Sequence, residues 1–156
     1  MRGSVKWLSL LFVLAVGAFG YARLTGAAGD GWEVGELREN GLRIIPGGRS
    51  DAGAVLDPGQ FPNPRVRHAY WVATRIPETL NQLYCWCGCV NRGVHRSNLE
   101  CFEDLMAVNC DVCRGTAEIA YDMVTNQGIE NPGLIQRAVD EVWAPAGTEL
   151  WEPAAS

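Results

Sequence analysis

Residues 84–113 read YCWCGCVNRGVHRSNLECFEDLMAVNCDVC and hold all six cysteines of a 156-residue chain. The residues before this stretch read as an address and a lead-in, and those after it as helical packing. Cys85, Cys87 and Cys89 occupy alternate positions, with Trp86 and Gly88 between them. In extended backbone alternate side chains point the same way about 6.6 Å apart, near the upper end of the roughly 4.4–6.8 Å between Cα atoms that a disulfide bridges. A metal with sulfur bonds of about 2.3 Å spans that gap without forcing the backbone. Neighbour-to-neighbour disulfides are therefore not expected in the triplet. Gly88 lets the chain turn its own sulfurs inward, through backbone angles that a residue with a Cβ resists.

Cys101 stands alone, and Cys110 and Cys113 form a C-x-x-C pair whose spacing puts both on one face of a helix. Asp111 marks that helix's first turn, where the positive end of the dipole favours thiolate over thiol. The triplet follows a helix placed at residues 64–84, whose C-terminal end disfavours a bare thiolate. Its sulfurs need a cation, a proton or a disulfide partner. Three readings fit. Six cysteines can pair as three structural disulfides, with fifteen possible connectivities and no choice among them from sequence. Closely spaced soft thiolates select Cu(I), Zn(II) or a heavier thiophilic ion such as Hg(II), with Cys85, Cys87, Cys89, Cys101, Cys110 and Cys113 as ligands and His95, in the intervening turn, able to complete a tetrahedral site. Cys110 and Cys113 could instead run thiol–disulfide exchange. The metal reading is favoured and assigns no catalytic residue. His68 reads as a helix-surface or packing histidine.

The run YCWCGC, the turn Gly93-Val94-His95-Arg96-Ser97, a lone Cys101 and the C-x-x-C pair together resemble the family of exported bacterial proteins named for a PCYCGC motif, some of them described as CYCXC proteins. The likeness extends upstream through VLDP (residues 55–58), Phe61 and IPETLNQLYC (residues 76–85), and downstream to about Trp143. It implies an extracytoplasmic bacterial protein, and its selenium-containing relatives suit redox chemistry. Tyr84 stands where the motif has proline. Family members are often lipoproteins, but no cysteine follows the signal region here, so a lipid anchor on an N-terminal cysteine is not expected.

Arg2 and Lys6 precede an uncharged run from Trp7 to Ala22 that Arg23 closes. This is the layout of a secretory signal, with cleavage expected near Ala27 or Ala28. A run of 16 residues is short against the roughly 20 a spanning helix needs; an uncleaved membrane anchor through residues 7–22 is the alternative. Either outcome puts the cysteines outside the cytoplasm, in a secreted or periplasmic setting. Residues 1–28 hold three basic residues and no acidic one, which leaves ten basic and eighteen acidic residues beyond them, net −8. That balance argues against nucleic acid or anionic lipid as partner. The expected partner is a metal ion, or a protein that delivers metal or exchanges redox equivalents.

Residues 29–63 form a Gly/Pro-rich extended lead-in, with a hint of strand at Gly41 to Ile45 and with Val55, Leu56 and Phe61 available to pin it down. The rest reads as a small all-α, four-helix, cysteine-clustered domain over residues 64–145, followed by a tail, 146–156. Val66, Ala69, Tyr70, Ala73, Ile76, Leu80, Leu83 and Tyr84 keep helical phase through Pro77, which predicts one kinked helix. Ser97 and Glu100 read as the capping box of a second helix to about Ala107, bearing Leu99, Phe102 and Met106. Residues 110–126 form the third, with Val112, Ile119, Ala120, Met123 and Val124 inward and Gly128 as its stop. Asn131 caps a fourth with Pro132 in its first turn and a buried stripe of Ile135, Ala138, Val139 and Val142. Glu100, Glu103 and Asp104 read as a solvated acidic face. No carboxylate pair, Ser–His–Asp set or phosphate loop stands out, so no hydrolytic or transferase site is expected. A core of this size is marginal alone, and the cysteine cluster supplies the staple.

Overall fold

The side chain of Asn63 accepts hydrogen bonds from the Arg65 and Val66 amides, and Pro64 presets the first turn. Helix α1 (Pro64–Arg75) therefore starts where the sequence places it. The computed structural model describes residues 33–46 and 52–154; the expected signal or anchor, residues 1–28, lies outside them. The predicted single kinked helix is in fact broken. Ile76 leaves helical geometry at φ −130°, ψ 47°, because the residue before a proline is pushed out of the α region. A single turn, α2 (Pro77–Leu80), follows. The apolar stripe survives the break: Ala69, Tyr70, Ala73, Leu80 and Leu83 are completely buried, and Val66, Ile76 and Tyr84 nearly so.

The predicted second helix does not form as an α-helix. Residues 97–108 hold two 3₁₀ turns, Leu99–Phe102 and Met106–Val108. The cause is competition for backbone groups. The Phe102 carbonyl accepts from the Leu56 amide at 2.9 Å, the Asp104 carbonyl accepts from the Tyr70 hydroxyl at 2.6 Å, and the Met106 amide turns to the Asp104 carboxylate at 2.7 Å. An α-helix needs those carbonyls and that amide for its own ladder, and local side-chain acceptors offer an alternative to it. Ser97 bonds Asn81 Oδ1 at 3.1 Å, and Glu100, read as exposed, is buried and paired with Arg96.

Helix α3 (Asp111–Thr125) packs against both α1 and α4 (Pro132–Trp143). Gly128, at φ +68°, turns the chain so that the Ile129 amide closes back on the Met123 carbonyl, the α3 stop read from sequence. Asn131 Oδ1 caps α4 through the Gly133 and Leu134 amides. The α4 stripe is rotated from the predicted one. Ile135 and Val139 are buried as read, but Val142 is 59% exposed and the polar Gln136 and Asp140 face inward. The core centres on Tyr70, with Phe61 at 4.1 Å and Phe102 edge-on at 5.2 Å, and burying each such ring contributes about 1.5–3 kcal/mol.

The described residues are all-α with no strand. The hint at Gly41 to Ile45 is one antiparallel bridge between Leu37 and Arg43. Val55 and Leu56 pack on the core and Phe61 is buried within it. The tail crosses the lead-in: Trp151 donates to the Glu39 carbonyl and Arg43 to the Glu149 carbonyl. No helix among the described residues is long and apolar enough to cross a membrane.

Candidate metal centre

The chain enters the cysteine triplet under restraint. Gln136, fully buried on α4, accepts from the Tyr84 amide at 2.8 Å and donates to the Tyr84 carbonyl at 3.3 Å. Its Nε2 also reaches Asp140 Oδ1 at 2.8 Å. The same carboxylate accepts from the Trp86 indole at 2.8 Å and from Arg43 at 2.8 Å, and the Arg43 guanidinium lies 4.8 Å over the Trp86 ring. A buried ion pair whose carboxylate also accepts from two further donors holds one arrangement of its neighbours, because losing either partner strands a charge. Cys85, between Tyr84 and Trp86, is thereby fixed.

Gly88 then turns the chain at φ +80°. The turn closes with the Arg92 amide on the Gly88 carbonyl and the Val94 amide on the Cys89 carbonyl, and the Cys89 amide sits 3.5 Å from Cys87 Sγ. Asn98 joins the other two sources of sulfur. Its amide bonds the Leu83 carbonyl at 2.9 Å and its Nδ2 donates to the Cys113 carbonyl at 3.2 Å. Cys101 comes from the Leu99–Phe102 turn, and Cys113 from the first turn of α3.

The four sulfurs of Cys85, Cys87, Cys101 and Cys113 lie within 4.8 Å of one another, with Cys85 and Cys113 3.9 Å apart. Four sulfurs about 2.3 Å from a shared ion would sit about 3.8 Å from each other in a tetrahedron. The group is therefore close to the size of a tetrahedral thiolate site and could hold a metal ion. Cys85, Cys101 and Cys113 are fully buried, and Cys87 is half-buried. All six cysteines are free thiols.

Three of the seven sequence candidates stand outside the four. Cys89 is buried and lies 3.7 Å from the Arg92 guanidinium. Cys110 is the N-cap of α3: its sulfur accepts from the Cys113 amide at 3.3 Å and lies 2.8 Å from Cys113 Sγ. His95 is neither a member of the group nor a solvent-facing turn residue. It is buried, with Nδ1 3.5 Å from Cys101 Sγ and Nε2 3.0 Å from the Asp104 carboxylate. Since a carboxylate only accepts, Nε2 carries the hydrogen and the ring is oriented against Cys101. His68 lies on the surface of α1, stacked on Trp71 at 5.5 Å.

No protein-family model, curated protein or solved structure matches this chain.

The thiols do not share one acidity. Hydrogen bonding from Cys101, then from Cys113, pulls the Cys87 and Cys85 thiols down. Cys113 is pushed up by its contacts with Cys101, Cys85 and Cys87 and by burial. For Cys101 the contact with Cys113 lowers and those with Cys85 and Cys87 raise; together with burial the net direction is up. Adjacent negative charges repel in a poorly solvated site, so ionisation of one thiol opposes ionisation of its neighbours. This reverses the order that helix dipoles alone predict. The lowered thiols sit in the triplet, and the thiol at the helix N-terminus, Cys113, is raised.

The sequence reading missed Gln136, Asp140, Arg43 and Asn98, which orient the site without joining it. One signal was present: Gln136 and Asp140 stand four apart on α4, adjacent in sequence to Ile135 and Val139 on the same inward side.

Proposed function

We propose that this chain is an exported soft-metal-binding protein that holds one Zn(II) or Cu(I) ion through Cys85, Cys87, Cys101 and Cys113. The observation that carries the proposal is the convergence of four sulfurs from three separate segments to within 4.8 Å. Soft, closely packed thiols select these ions over hard cations. Thiol ligands must be deprotonated to hold the ion, so its binding releases protons. His95, held by Asp104, and the Gln136–Asp140–Arg43 network are the outer supports that keep ligand sulfurs in place.

Export is supported by the signal-like start and by the resemblance to the PCYCGC, or CYCXC, family. The expected partner is a protein that delivers or takes up the ion through its own thiols. Purification under nitrogen, with metal measured by mass spectrometry and free thiols counted, tests the proposal. It predicts one soft metal ion per chain, with free thiols appearing when a chelator removes it. Less than stoichiometric zinc and copper after reconstitution, or absence of free thiols, contradicts it.

A second reading, a thiol–disulfide oxidoreductase using Cys110 and Cys113, is favoured by their 2.8 Å sulfur contact at a helix N-terminus. Against it, Cys113 is buried and its thiol is pushed up rather than down. Alkylation rate against pH, read at Cys110 and Cys113 by peptide mass spectrometry, separates the readings, since a catalytic thiol in this pair titrates well below about 8.5.

A further inference from the structure

Cys113 belongs to two arrangements at once. Its sulfur is one of the four that converge, and it is also 2.8 Å from Cys110 Sγ, which is not one of them. Two nonbonded sulfurs rarely approach so closely, and a small shift joins them. Cys110 is partly exposed whereas Cys113 is fully buried, so of these two an incoming oxidant meets Cys110 first. Nothing among the described residues can replace Cys113 in the four: Cys89 is turned to the Arg92 side of the triplet, and His95 is held against Asp104.

Resting on the metal-binding reading, we propose that Cys110 is the trigger of a redox release step, in which a Cys110–Cys113 disulfide withdraws Cys113 from the four-sulfur site and discharges the ion. The oxidant is a disulfide, either a small-molecule disulfide or that of a thiol-exchange protein. The Cys110 thiolate attacks one of its sulfurs, breaking that S–S bond and expelling one thiolate, which leaves a mixed disulfide on Cys110. Cys113 sulfur then attacks the Cys110 sulfur of the mixed disulfide and expels the second thiolate as its bond to the metal breaks. Two electrons pass from the two protein sulfurs to the incoming disulfide. The ion leaves a site reduced to three sulfurs. Exchange of this kind is fastest when the attacking thiol is accessible and close to its resolving partner.

The test uses the full chain, reduced and loaded with zinc under nitrogen, then exposed to oxidised glutathione. Released zinc is followed with a zinc-sensitive dye, and disulfides are mapped by peptide mass spectrometry over the same time course. One zinc ion is expected to appear for each Cys110–Cys113 bond. Cys110→Ser keeps an oxygen acceptor at the N-cap, so it is expected to fold, to load the same amount of zinc, and to release it at least about tenfold more slowly, having lost the accessible thiol. If wild type takes up no zinc, the underlying metal reading fails. If wild type loads zinc but keeps it as the Cys110–Cys113 bond forms, or releases it before that bond appears, the switch is wrong although the metal site stands. Release from Cys110→Ser at the wild-type rate, or its failure to load, also overturns the switch.

Discussion

Gln136 holds the peptide groups of Tyr84 on both sides, accepting from its amide and donating to its carbonyl from a fully buried position on α4. One side chain thus satisfies the backbone at the point where the chain enters the cysteine triplet. Gln136→Leu keeps the approximate volume and orphans buried groups, each at about 1–3 kcal/mol. The expected loss is about 2–4 kcal/mol in urea denaturation of the metal-free, reduced domain, and zinc affinity is expected to fall about 10- to 100-fold as the ligand frame loosens. A loss below about 1 kcal/mol would show that the clamp is replaceable.

Gly88 has φ +80°, and only Arg92 lies near a Cβ built there, so space is not what forbids a side chain. Gly88→Ala is expected to cost about 1–2 kcal/mol from backbone strain alone. Zinc affinity should fall by a larger factor than in a control glycine-to-alanine change at Gly93, also at positive φ but outside the four-sulfur group. Equal losses of affinity in the two variants would mean that the Gly88 turn does not aim the sulfurs.

What could be read from the sequence was whatever depends on local period. The stripe from Val66 to Tyr84, the helix start at Pro64, the Asn131 cap, and the inward Ile135 and Val139 follow from spacing and capping chemistry. What escaped depends on partners distant in sequence. The 3₁₀ turns at residues 99–108 exist because Leu56 and Tyr70 take carbonyls that an α-helix would use, and no local pattern announces that. The α4 face rotated because Gln136 and Asp140 serve Tyr84, Trp86 and Arg43. The spacing of the cysteines identified the pool of ligands. It could not show that the Gly88 turn leaves Cys89 beside Arg92, or that Cys110 is engaged as a helix cap.

Tyr70 gives a pH test of the core. Burial, then the nearby Asp104 carboxylate, pushes its phenol above the ordinary value of 10.0. A raised pKa means that the folded state keeps a proton the unfolded state releases. The resulting stability is fully present below pH 10 and is lost as pH rises beyond it. Tyr70→Phe is expected to cost about 1 kcal/mol at neutral pH, from the lost hydrogen bond to the Asp104 carbonyl, and to flatten the fall in stability above pH 10. An unchanged alkaline slope would contradict the assignment.

Cys87 joins a strongly lowered thiol to partial exposure, whereas Cys85, the other acidic thiol, is fully buried. In the reduced, metal-free chain at pH 7, iodoacetamide should label Cys87 first, because the thiolate is the reacting species. Adding zinc should suppress that labelling. Peptide mass spectrometry that finds Cys89 or Cys110 labelled ahead of Cys87 would contradict the lowering of the Cys87 thiol.

The most direct measurement is X-ray absorption at the zinc edge on the Cys89→Ser/Cys110→Ser double variant, which retains only the four converging cysteines. The expected spectrum fits four sulfur scatterers at about 2.3 Å and no nitrogen or oxygen ligand. A shell of three or fewer sulfurs, a nitrogen ligand from His95, or failure of the variant to bind one zinc ion while wild type does would contradict a site built from Cys85, Cys87, Cys101 and Cys113.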